Sequence, residues 1–125
     1  MTTDYRDLCR VTDAAYQGDL AKMQEMAREE SNLRATLDDL DRQLRESLGG
    51  AIEGDAPWRA IGADEAWRKW LMRRRAEVNM QLARVLARKA EAVATLKRSF
   101  ARKQVSEDIL AMKQEEARLQ ARRAY

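Results

Sequence analysis

The sequence predicts an all-α fold, two long helices closed into an antiparallel coiled-coil hairpin within a single domain spanning residues 1–125. Three observations carry this reading. Charged residues make up 36 % of the chain and the hydrophobic class 45 %, much of it Ala, Leu and Met, a mixture typical of long helices rather than of a mixed fold. Apolar residues recur at alternating spacings of three and four, the repeat that keeps a stripe on one helical face. The only proline and four of the five glycines fall between Gly49 and Asp64, where that repeat stops.

The first helix is expected over 4–48. Met26, Leu33 and Leu40 hold one heptad position, and Met23, Leu37 and Leu44 the other. Glu30 interrupts the stripe, and upstream it continues only weakly through Tyr16, Thr12 and Cys9. Gly18 adds a soft point that costs about 1 kcal/mol against alanine, so the N-terminal turns are expected to fray or to await a partner. Gly49 and Gly50 end the helix, as glycine after the last periodic residue commonly does.

The turn is expected over 49–64. Ile52, Trp58 and Ile61 lie within it, so it should pack locally. Asp64 is the expected N-cap of the second helix, without a capping box because Trp67 occupies the third position. That helix is expected over 65–122, with Leu71, Val78, Leu82, Val85, Leu96, Phe100 and Leu110 on its inner face and Lys89 and Ala92 as weak points. At 1.5 Å per residue the two helices would reach roughly 65 and 85 Å, so the C-terminal part of the second should project beyond the first. A seam of this kind buries little and serves pairing within one chain or between two, so a homodimer is physically reasonable.

Charge divides between the arms. Residues 1–50 hold eleven acids and seven bases, whereas residues 65–125 hold seven acids and sixteen bases. Opposite arms favour antiparallel pairing through flanking charges, yet the second arm keeps a basic surplus. Between Trp67 and Lys103 only Glu77 and Glu91 oppose it.

Histidine is absent and Cys9 is the single cysteine. This removes the commonest general base, the commonest metal ligand and any internal disulfide, so no catalytic site, metal or cofactor is expected. Carboxylates strewn along solvated helices lack the pocket that paired-carboxylate catalysis needs. No apolar run approaches the roughly 18 residues of a membrane span, and the first residues lack a signal-peptide layout. A lone cysteine suits a reducing compartment, and the cytoplasm is the expected location.

The strongest candidate for function is the stretch from Trp67 to Arg75. Trp67 and Trp70 share one helical face, with Trp58 close enough upstream to join them. The indoles could pack together and close the hairpin tip. They could equally anchor a protein partner, since Trp and Arg dominate interface energetics. The candidate partner-binding residues are Trp67, Trp70, Arg73, Arg74, Arg75, Arg84, Arg88, Arg98 and Arg102. The basic run could instead neutralise phosphates, but no groove-reading module or aromatic stacking platform accompanies it. A general coiled-coil adaptor or oligomerisation module is the other reading.

The segment Ile61-Gly62-Ala63-Asp64-Glu65-Ala66-Trp67-Arg68-Lys69-Trp70, and further on Ser99-Phe100-Ala101-Arg102-Lys103, resemble FliJ-like proteins. That family includes flagellar FliJ and the YscO-type stalk proteins of type III secretion. The resemblance implies a non-enzymatic component of a flagellar or type III export apparatus, a stalk or export chaperone. It would sit in the hexameric export ATPase much as the γ subunit sits in a rotary ATPase, with further contact to the export gate and to substrate chaperones. Basic residues would then face acidic loops of the ATPase ring, a fit that favours fast, reversible docking.

Overall fold

The structure, a computed structural model, describes residues 2–49 and 57–124. It consists of two helices, α1 (Thr2–Gly49) and α2 (Pro57–Arg123), packed antiparallel against each other, with no strand among the described residues. The all-α hairpin of the sequence reading holds. Its turn is shorter than 49–64, because α2 begins at Pro57. A proline at the first helical position loses no hydrogen bond, and its fixed φ suits the helix start. Asp64 is therefore not an N-cap but lies inside α2, half-buried. Ile52 and the side chains of Trp58 and Ile61 fall outside the described residues.

The seam of α1 follows an unbroken alternation of three and four, from Tyr5 through Cys9, Thr12, Tyr16, Asp19, Met23, Met26, Glu30, Leu33, Leu37, Leu40 and Leu44 to Ser47. Each of these residues is buried or half-buried. Contacts divide the chain into two units, Met26–Arg88 (the inner unit) and Met1–Glu25 with Lys89–Tyr125 (the terminal unit).

The inner unit holds the apolar core. Leu40, Leu71 and Val78 are buried together, with Leu33, Leu37 and Leu44 packed against them. Leu82 and Val85 continue the buried face of α2. Burying a side chain such as Leu71 or Val78 contributes about 1.5–3 kcal/mol, so a handful of residues supplies most of the unit's cohesion. Polar ties flank them. Arg68 donates from Nε to the Ser47 hydroxyl at 3.2 Å and from Nη2 to the Ser47 carbonyl at 3.3 Å. Carbonyls of the last helical turn have no partner within their own helix, so Arg68 supplies a donor at the C-terminal end of α1. Arg75 pairs with Asp41 at 2.6 Å and Arg88 with Glu29 at 3.7 Å, a base of α2 against an acid of α1 each time. The side chains are partly exposed, so these pairs orient the helices more than they stabilise them.

In the terminal unit the seam mixes polar and apolar residues. On α2 the repeat runs Lys89, Ala92, Leu96, Ser99, Lys103, Ser106, Leu110, Lys113, all buried or half-buried. Ser99 donates to an Asp19 carboxylate oxygen across the seam, whereas Ser106 donates to the Arg102 carbonyl of its own helix at 2.9 Å. Lys103 Nζ lies 3.6 Å from Asp13 and 5.1 Å from the centre of the Tyr16 ring.

One expectation is corrected here and two are refined. Phe100 does not lie on the inner face: Ser99 takes that place, and Phe100 is exposed, with its ring 5.8 Å from Tyr16. The N-terminal turns are helical from Thr2 and packed against α2 through polar and aromatic contacts. The C-terminal part of α2 is paired further along than expected, with Lys113 Nζ 5.9 Å from the centre of the Tyr5 ring and Thr2 sharing a groove with Gln120, while every residue from Gln114 to Ala124 is exposed. The physical reason is that aromatic and lysine-stem contacts satisfy a seam that carries too few aliphatic residues to be recognised from hydrophobicity.

Candidate protein-docking surface

On α2 of the inner unit a second alternation of three and four runs beside the seam, through Trp67, Trp70, Arg74, Glu77, Gln81, Arg84 and Arg88. A repeat in step with the seam stays on one flank of the helix, so these side chains form a ladder alongside α1. Trp67 and Trp70 stack with ring centroids 5.1 Å apart and an angle of 7° between planes. Both remain exposed, at 44 and 46 %. One face of each indole is committed to the other, so their solvent-facing edges present a rigid apolar plate with few rotamers left to freeze. Trp67 also lines an open groove with Gln43, Glu46, Ser47 and Asp64.

The arginines of the sequence reading separate into distinct environments. Arg74 belongs to the flank and pairs with Glu77 at 3.3 Å. Arg84 and Arg88 belong to it as well, lining an open groove of about 360 Å³ with Glu29, Asn32 and Leu33, in which Arg88 is also paired with Glu29. Arg73 points away from the seam and, like Arg84, has no ion pair among the described residues. Arg75 is turned toward Asp41 and contributes to the pairing of the helices instead. In the terminal unit, Arg98 donates to the Thr95 hydroxyl at 3.3 Å, and Arg102 is exposed, its side chain without an ion pair among the described residues. The structure thus brings Trp67, Trp70, Arg74, Arg84 and Arg88 together on one flank and leaves Arg73 and Arg75 off it.

The sequence reading missed the role of Arg68, which is tied to Ser47 rather than free on the basic face. It also missed Ser99, Lys103, Ser106 and Lys113 as seam residues. Counting the heptad forward from Leu71 without regard to residue type would have found them.

Among the described residues there is no group of three or more metal-ligating side chains, and no helix is long and apolar enough to cross a membrane. No family model, curated protein or solved structure matches the chain.

Proposed function

We propose that this chain is a non-enzymatic docking protein that offers the stacked Trp67–Trp70 pair and the adjoining Arg74, Arg84 and Arg88 to an acidic surface of a protein partner. The observation that carries the proposal is the exposed indole stack beside a ladder of arginines. A large apolar plate bordered by cations suits an anchor that excludes water at its centre and is steered by charge at its rim. The hairpin beneath it holds both on one rigid helix. The resemblance to FliJ- and YscO-type proteins gives the partner: the hexameric ATPase of a flagellar or type III export apparatus, with the export gate as a second contact and the cytoplasm as the place of work.

The experiment is a pull-down with the purified chain as bait and an export ATPase as prey, at low and moderate salt. Recovery of the ATPase that is lost in a Trp67→Ala/Trp70→Ala variant supports the proposal. Failure to recover it at low salt sinks the export assignment. Steeply salt-dependent retention of generic DNA, with no ATPase recovered, would transfer the basic flank to nucleic-acid binding.

A further inference from the structure

The terminal unit divides its apolar residues between the seam, where Met23, Leu96 and Leu110 are half-buried, and an exposed flank. Its seam carries Asp19, Ser99, Lys103, Ser106 and Lys113, while Val105, Ile109 and Met112 occupy the flank of α2 in step with that seam. Val105 is 56 % exposed and Met112 59 %. The pairing of Tyr5 with Lys113 and of Asp13 with Lys103 places Leu8 level with Ile109. Asp13 and Phe100, which meet the seam residues Lys103 and Tyr16, lie on the opposite flank. Leu8 and Val11, exposed at 43 and 66 %, therefore lie beside Ile109 and widen one apolar strip over both helices. Contiguous exposed apolar surface rimmed by charge marks a docking site.

The charges at its ends say what docks there. The α2 stripe reads Arg98, Arg102, Val105, Ile109, Met112, Glu116, Leu119. It is basic at one end, apolar in the middle and acidic beyond, with Arg102 and Glu116 equidistant from Ile109. Asp4 of α1 adds to the acidic end. A copy of the same stripe laid antiparallel, centred on Ile109, sets Val105 against Met112 and Arg102 against Glu116, twice by symmetry. A parallel copy would set Arg102 on Arg102 and Glu116 on Glu116. A surface complementary to itself under a two-fold rotation is what an isologous interface requires.

We propose that this flank of the terminal unit is the interface of an antiparallel homodimer, a four-helix arrangement in which a second copy of the chain covers Leu8, Val11, Val105, Ile109 and Met112. The Glu116 carboxylate, 3.3 Å from Lys113 Nζ within its own helix, keeps an open side for the partner's guanidinium. The interface does not depend on the function proposed for the Trp67–Trp70 pair.

Light scattering on the intact chain across a concentration series tests it. The wild-type mass should rise from the 14.4 kDa of the chain toward twice that value. Val105→Glu/Met112→Glu should stay monomeric with unchanged helicity, because both side chains are exposed. Arg102→Glu should weaken self-association by roughly tenfold, and adding Glu116→Arg should restore it. A wild-type chain that stays monomeric throughout overturns the proposal, as does a dimer that survives the double glutamate variant. A charge exchange that fails to rescue overturns the antiparallel register.

Discussion

Ser99 and Ser106 are the two buried polar residues among those described, at 5 and 4 % exposure, and they are satisfied differently. Ser99 donates across the seam to Asp19, whereas Ser106 donates back to the Arg102 carbonyl one turn earlier. Removing the first hydroxyl leaves a half-buried carboxylate without its donor. Removing the second frees a carbonyl that already has its helical partner and replaces a poor helix former by the best one. Ser99→Ala should therefore destabilise the chain by about 1 kcal/mol. Ser106→Ala should be neutral or stabilising by about 0.5 kcal/mol, both read from denaturant titrations. Equal losses would show that the bond to Asp19 contributes nothing specific.

At the scale of the helix, both elements are longer than their apolar content explains. A helix with a polar seam leans on intrinsic propensity and on local pairs such as Arg34–Glu30, Arg42–Asp39 and Arg118–Glu115, each a small contribution. Gly18 is the weak link of α1. It sits inside the helix without positive φ, and an added Cβ would meet nothing within 4 Å. Gly18→Ala should raise stability by about 1 kcal/mol, seen as a higher midpoint of thermal unfolding by circular dichroism. A lowered midpoint would mean that the position is crowded by something the helix pair does not provide. The start of α2 shows the same balance from the other side. Gly62 weakens the helix between Pro57 and Trp67 without stopping it, since glycine costs a helix far less than an interior proline.

Across the whole molecule, apolar burial is uneven. The cluster of Leu40, Leu71 and Val78 belongs to the inner unit, while the terminal unit is held by hydroxyls, lysine stems and rings. Backbone amides of Leu37–Leu44 and Leu71–Val85 should exchange with solvent most slowly. Those of Asp4–Cys9 and Leu110–Leu119 should exchange faster, because local opening there exposes little apolar surface. Hydrogen exchange read by NMR or mass spectrometry measures this directly, and uniform protection along both helices would contradict it. If a second copy covers the apolar flank, protection of Leu110–Leu119 should rise with protein concentration.

The sequence alone determined the helical state, the hairpin and much of the seam. Leu33, Leu37, Leu40 and Leu44, and opposite them Leu71, Val78, Leu82 and Val85, are legible because a heptad of aliphatic residues has one low-energy way to be buried. The indole pair was legible too, since Trp67 and Trp70 are near enough on a helix to meet whatever surrounds them. Between Ser99 and Phe100 the hydrophobic pattern misleads, and the tertiary structure shows the hydroxyl in the seam. From Leu96, steps of three and of four both remain within a helical stripe, and hydrophobicity favours the phenylalanine. The choice is made by the opposite helix, where Asp19 offers an acceptor to a hydroxyl and the Phe100 ring is left to lie beside Tyr16. The same cause sorted the arginines. Arg74 and Arg75 are neighbours in sequence, but the register of α1 puts Asp41 in front of Arg75, while Arg74 stays on the flank with Trp67 and Trp70. Composition and period are properties of one helix and can be read from its residues, whereas the phase of a seam belongs to the pair and exists only once both helices are in place.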